Sequence, residues 1–249
     1  MREPKVNGAF FPRTCVLCGL GSGRRNVCRG CRADLPWLSR ACRRCGAPLP
    51  PAAGGYDCAT CRVATGAAER IVTALAYEYP VDRLVTLAKF QVRQDCARAL
   101  GDLLAEYLRA AKARGELALP DMLTPVPLHR RRLARRGYNQ AEEIAMPVAE
   151  MLRVPLARRI CRRHVDTAAQ TSLTGVARRK NVRGAFRIDG AIANASIADA
   201  SIANSSIAIV DDVLTTGSTV GELAAALRAA GAAAVQVWTV ARSVRQTIG

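Results

Sequence analysis

The residues best suited to chemistry fall into two groups at opposite ends of the 249-residue chain. The first is eight cysteines in four pairs with two-residue gaps: Cys15/Cys18, Cys28/Cys31, Cys42/Cys45 and Cys58/Cys61. A tight CxxC turn offers two thiolates to one tetrahedral ion, and two such turns complete the shell. Gly19, Gly30 and Gly46 stand beside pairs, where such turns call for a permissive backbone. The pattern reads as two zinc sites. Four thiolates close each site, so the zinc is structural and not catalytic. The alternative is a disulfide framework, but nothing in the sequence suggests secretion, and cytosolic thiols stay reduced. Redox CxxC motifs usually come singly. Ligand pairing is open between sequential and interleaved, and sequential is the expectation. Cys96 and Cys161 have no partner pattern and read as small core residues.

The second group lies in IAIVDDVLTTGSTV, residues 207–220. An apolar strand over 207–210 ends at Val210, and Asp211 and Asp212 follow at its carboxyl end. Thr215, Thr216, Gly217, Ser218 and Thr219 then supply hydroxyls and close-approach backbone. A helix begins at once, so its free N–H groups and positive dipole end face the loop. That builds an anion site suited to a phosphate monoester, at the carboxyl end of a strand where ligands of open α/β sheets bind. The acids fit a ligand that also carries hydroxyls, or a magnesium ion. The alternative is helix capping, with Thr219 and Glu222 as a capping box. Capping explains those two residues but not the acid pair.

These groups need a scaffold. The pattern predicts a strand over 69–79 ended by Pro80, helices over 81–90 and 95–113, and a short buried strand over 121–127. A helix over 139–152 follows, which Pro147 should kink or shorten. A helix over 217–230 closed by Gly231 and a last strand over 234–241 complete the series. Strands alternating with helices indicate an α/β fold with a mostly parallel sheet. The tandem repeat IANAS, IADAS, IANSS over 192–206 reads as an expanded loop.

The formal charge of +17 and pI near 10.3 suggest a polyanionic partner. Arginine supplies nearly all of it, as a genomic compositional bias also would. Counting eight thiolates and two zinc ions lowers the charge to about +13, still strongly basic. No run approaches the roughly 18 apolar residues of a membrane span, and no signal peptide is visible in MREPKVNGAFF. The expectation is a cytoplasmic protein with no membrane insertion.

The 207–220 segment closely resembles the signature of type I phosphoribosyltransferases. That resemblance implies that Asp211 and Asp212 hold the ribose of phosphoribosyl pyrophosphate (PRPP), and that Thr215, Thr216, Gly217, Ser218 and Thr219 cradle its 5-phosphate. LTPVPLHRRRLARRGYNQAEEIA (123–145), AAQTSLTGVARRKNVRGAF (168–186) and the cysteine-rich start together resemble the ComF family of competence-associated proteins. The family couples an N-terminal zinc ribbon to a phosphoribosyltransferase domain, which implies a ribbon module over 1–66 and a phosphoribosyltransferase-like domain over 67–249.

The resemblance further implies a pyrophosphate-binding loop near Arg130, Arg131, Arg132, Arg135 and Arg136. Arginine forks suit that group, and Arg131, Arg136 and Lys89 are the candidates. A solvated basic helix face is the alternative. Residues 170–186 would form a hood, with Asn181 and Arg183 near the ligand. Two functions follow. One is a pentosyl transferase using PRPP with magnesium, with Asp211 and Asp212 catalytic and the acceptor unknown. The other is a single-stranded-DNA-binding protein of DNA uptake, working beside uptake-machinery proteins, for which PRPP is a regulator. Aromatics for base stacking are scarce at 4%.

Overall fold

The structure, a computed structural model, describes residues 13–50, 57–62, 68–166, 183–188 and 202–243. The ribbon elements are β1 (Arg13–Thr14), β2 (Gly21–Gly23), α1 (Arg29–Ala33) and α2 (Ala59–Arg62). Then come β3 (Arg70–Ala76), α3 (Val81–Phe90), α4 (Gln94–Ala113), β4 (Met122–Pro125), α5 (Arg130–Arg136) and α6 (Gln140–Leu152). The chain finishes with β5 (Cys161–Arg163), β6 (Phe186–Ile188), β7 (Ser206–Leu214), α7 (Ser218–Ala229) and β8 (Ala234–Arg242).

Four strands form one parallel sheet in the order β3-β8-β7-β4. Alternation along β7 assigns its two faces. Ile207 and Ile209 join Val220, Leu223 and Leu227 of α7 in one core. Ala208 and Val210 join Leu84 of α3, Leu104 of α4 and Ile144 of α6 in the other. Both faces are covered, so β7 reads as a continuous apolar run and not as an alternating one. The architecture is the expected parallel sheet flanked by helices, preceded by a cysteine-rich ribbon.

The ribbon lies against β3. Leu38 N–H donates to Ala74 O at 2.9 Å, Ala76 N–H to Pro36 O at 2.9 Å, and Ile71 N–H to Arg43 O at 2.6 Å. Trp37 bridges Leu75 in antiparallel fashion and stacks on Tyr107 of α4, with ring centroids 6.2 Å apart. Cys96 and Cys161 are buried in the core as expected.

Three local expectations are corrected. The first is the end of β7, which runs on through both acids to Leu214. Its partner β4 stops at Pro125, opposite Val210, but β8 continues the ladder, pairing Asp211 with Thr239 and Leu214 with Arg242. The acids therefore sit where the sheet loses a strand on one side only.

The second is Pro147, which neither ends nor shortens α6. Gly101 of α4 explains the tolerance. A Cβ there would lie 2.5 Å from Pro147 Cγ and 2.6 Å from Ile144 O, so the bare α-carbon lets α4 seat directly against the proline turn. The third is Gly30, which lies within α1 and needs no left-handed backbone, whereas Gly19 and Gly46 adopt φ of 74° and 69°. The repeat falls largely on residues 189–201, outside those described; Ile202 at its end is buried against the α7 side of the sheet.

Candidate functional site

The eight paired cysteines form two tetrads. Cys15, Cys18, Cys28 and Cys31 make one, and Cys42, Cys45, Cys58 and Cys61 the other, with ligand atoms within 4.8 Å of one another in each. Pairing is thus sequential. The Cys18–Cys28 and Cys45–Cys58 sulfurs are each 3.8 Å apart, the edge of about 3.8 Å that a tetrahedron with Zn–S of about 2.3 Å requires. The tetrads repeat one another. Cys28 N–H donates to Cys15 Sγ and Cys58 N–H to Cys42 Sγ, both at 3.3 Å. Each tetrad fits a structural zinc ion, with four thiolates and no open position.

The second site is a cleft of about 790 Å³ above the carboxyl end of the sheet. It brings together Asp211, Asp212, Thr215, Gly217, Ser218, Thr219, Lys89, Arg131 and Arg136. Thr216 is not part of the wall. It is exposed, and its hydroxyl lies 2.8 Å from Ser218 Oγ, bracing the loop from outside.

The acids differ in their surroundings. Asp212 is buried, and its Oδ2 faces the ammonium of Lys89 at 2.9 Å. Its Oδ1 accepts from Val213 N–H at 2.6 Å. Asp211 accepts from Asp212 N–H at 2.9 Å. Burial, and then the neighbouring charge of Asp212, push its carboxyl up to about 7 against the pull of Lys89. Lys89 is shifted upward in turn: burial alone would lower it, but Asp212 and Asp211 outweigh that.

The loop ends in Gly217, at φ 76°, which is the N-cap of α7 and brings no side chain to the helix end. The alternative reading, a Thr219–Glu222 capping box, does not describe this helix start, whose N-cap is Gly217. The cap lies two residues before Thr219, and Glu222 Oε1 accepts from Gly184 N–H at 2.5 Å. A helix terminus without a side-chain cap, beside hydroxyls, suits an anion.

The opposite wall is α5. His129 caps it, accepting from Arg131 N–H at 3.4 Å, and Gly137 ends it at φ 80°. Asp166 lies 3.6 Å from Arg132 Nε and 3.9 Å from Arg131 NH1. Arg136 donates to Gln140 Oε1 and lies 5.9 Å from the Phe90 ring centroid. Burial shifts its guanidinium downward. Arg131 is 77% exposed, so it reaches over the cleft mouth and is not packed into the wall.

Sequence reasoning missed Tyr77, Phe90, Gln140 and Arg163 in this cleft. Arg163 is the most informative of them. It is buried in β5, 5.6 Å from the Phe186 ring, with its charge acting on Asp211. The residue types Cys161, Arg162 and Arg163 carried no signal of this; the burial of Arg163 beside the exposed Arg162 follows from the folded strand. β5 and β6, on either side of the segment expected to form the hood, pair antiparallel. Asn181 and residues 167–182 lie outside the described residues, while Arg183 is exposed.

The double zinc ribbon domain family matches residues 6–64. The chain is 35% identical over 236 residues to DNA utilization protein YhgH of Escherichia coli (strain K12), covering 94% of this chain and 98% of that one. It is 32% identical over 236 residues to competence protein F of Haemophilus influenzae, covering 94% and 99%. Among solved structures, a hypoxanthine phosphoribosyltransferase from Staphylococcus aureus aligns at 13% identity and a TM-score of 0.35, over 57% of this chain and 62% of that one. A purine phosphoribosyltransferase from Pyrococcus horikoshii Ot3 aligns at 16% and 0.30, over 70% and 87%.

Proposed function

We propose, for a chain that belongs to the family of DNA utilization protein YhgH and competence protein F, that the cleft binds PRPP with its magnesium and transfers the phosphoribosyl group. One observation supports this most. An acid pair, a hydroxyl-lined loop at an uncapped helix start, and an arginine helix face one cleft, in the three chemistries that a phosphorylated sugar diphosphate needs.

The 5-phosphate sits on Thr215, Gly217, Ser218 and Thr219, with Thr216 bracing the loop. The ribose hydroxyls donate to Asp211 and Asp212. Arg131 and Arg136 face the diphosphate, and Lys89 adds positive charge beside Asp212. The anomeric C–O bond breaks with its electron pair leaving on the diphosphate. A lone pair of the acceptor forms the new bond, and the acceptor loses a proton. The two carboxylates act catalytically by stabilising the oxocarbenium charge, and the arginines by stabilising the leaving group. On this reading residues 1–66 are the zinc module and 67–249 the transferase. The setting is DNA uptake and natural transformation, on the cytoplasmic side, beside the uptake machinery.

Calorimetry with magnesium and PRPP tests the site. Wild type should give heat and the Asp211→Ala/Asp212→Ala double variant none; equal heats reject the assignment. Pyrophosphate release across a panel of acceptors, DNA included, tests turnover.

A second reading rests on the exposed arginines Arg13, Arg25 and Arg29 of the ribbon and Arg130, Arg131 and Arg135 of α5. Here the protein holds single-stranded DNA, and PRPP regulates it. Affinity for single-stranded DNA should then fall by orders of magnitude from low to high salt, and a flat response removes this reading.

A further inference from the structure

Arg242 ends β8, far in sequence from the cysteines, yet its guanidinium connects them to the phosphate loop. Nε donates to Cys45 O at 2.9 Å. NH1 donates to Leu214 O at 3.0 Å, to Ser243 O at 2.6 Å and to Thr215 O. Cys45 is a ligand of the second tetrad, and Leu214 and Thr215 open the loop. One planar side chain therefore fixes the separation between a metal knuckle and an anion site.

The backbone repeats the connection. A Cβ on Gly46 would lie 2.6 Å from Thr73 Oγ1 and 3.3 Å from Leu214 Cδ2. The turn after Cys45 is thus seated directly on β3 and on the first residue of the bend. The first tetrad rests elsewhere, on α4, through Asn26 Nδ2 to Asp102 Oδ2 at 2.6 Å and Arg32 to Glu106 at 2.7 Å. Charge gives the arrangement a purpose. Four thiolates on one zinc ion carry a net negative charge, which would repel a phosphate bound nearby. A guanidinium between them offsets that repulsion, and groups just outside a metal's ligand shell commonly orient the ligands they touch.

We propose that Arg242 is a positioning residue coupling occupancy of the second zinc site (Cys42, Cys45, Cys58, Cys61) to the shape of the Thr215–Thr219 loop. The first zinc site does not share this coupling. Coupling between two binding sites is reciprocal, so a ligand in the loop also tightens the second tetrad. That ligand half rests on the PRPP reading above; the metal-to-loop half does not.

Hydrogen exchange over residues 211–220 of the full chain tests the metal-to-loop half without any ligand. Arg242→Lys and Cys58→Ser should each speed exchange of the loop amides about tenfold. Cys28→Ser, which disrupts the first site, should leave them unchanged. Loop exchange at the wild-type rate in Cys58→Ser, or an equal change in Cys28→Ser, overturns the proposal.

A wild-type measurement covers the case in which the cysteine variants do not fold. Alkylation rates, read cysteine by cysteine by mass spectrometry, are compared with and without magnesium and PRPP. The second tetrad should be protected about tenfold and the first not at all, with the difference lost in Arg242→Lys. Equal protection of both tetrads overturns the coupling. Absence of any calorimetric heat from PRPP on the wild type instead removes the ligand reading, and hydrogen exchange in Arg242→Lys then decides the metal-to-loop half alone.

Discussion

Lys89 Nζ lies 2.9 Å from Asp212 Oδ2, joining the last turn of α3 to the stretch of β7 that runs past its neighbour β4. The carboxylate is 6% exposed and the lysine side chain 25%, so water screens the pair only in part. Removing one member of a buried pair leaves an uncompensated charge. Lys89→Met should destabilise the protein by about 2 kcal/mol, at the low end for such pairs because the ammonium keeps some solvent. Adding Asp212→Asn should recover part of the loss. A double-mutant cycle by urea denaturation measures the coupling, and additive losses would show that the pair is not a unit.

Asp211 makes stability depend on pH. Its folded pKa is raised from 3.8 to about 7 by burial and by Asp212. A raised folded value means that the folded state holds the proton more tightly. Its contribution is therefore fully present below pH 3.8 and is lost as pH rises through 7. Between pH 6 and 8, where the zinc thiolates stay bound, the wild-type melting temperature should fall. In Asp211→Asn the fall should be smaller, leaving the variant the more stable protein at pH 8. Parallel melting curves for the two proteins would place the titration elsewhere.

Each tetrad closes on its own four sulfurs, so zinc should be lost in single equivalents. Cys15→Ala should bind one zinc per chain instead of two. Its Cys18, Cys28 and Cys31 should become open to alkylation while Cys42, Cys45, Cys58 and Cys61 stay protected. Metal analysis with peptide mapping checks this, and an interleaved loss of protection would overturn the sequential pairing.

Gly101→Ala tests the fit between α4 and α6. Alanine is the better helix former by up to about 1 kcal/mol, but here its methyl meets Pro147 Cγ at 2.5 Å and Ile144 O at 2.6 Å. The oxygen is backbone and does not yield easily. The net effect should be destabilisation by about 1–3 kcal/mol, read from the denaturation midpoint. A stabilised variant would mean that the helices separate freely.

What the sequence showed plainly was local. The CxxC turns and the Val81–Phe90 helix follow from neighbours a few residues away, and so does the acid-then-hydroxyl bend, and all are found. What it hid was settled at a distance. β7 continues past Val210 because β8 accompanies it, a pairing that no property of Asp211 or Asp212 announces. Pro147 is harmless because a glycine 46 positions earlier faces it. Lys89 was picked out as a candidate for the diphosphate from its place in LAKFQ, and its pairing with Asp212, 123 positions later, is visible only in the fold. Arg163 and Arg242 each look like one more arginine in an arginine-rich chain. Only the folded sheet brings one beside Asp211 and the other to four carbonyls.

The hydrogen bonds from Pro36, Leu38 and Arg43 to β3 have a consequence for how this chain can be dissected. β3 is the outermost strand of the sheet on that side, and a bare outermost strand is a template for sticking to other molecules. The ribbon shields it. A fragment cut away from its cysteine-bearing start would display raw backbone along Arg70–Ala76, and its tendency would be to clump and not to remain dispersed. Chelating agents strong enough to dismantle the ribbon should provoke the same precipitation in the intact protein.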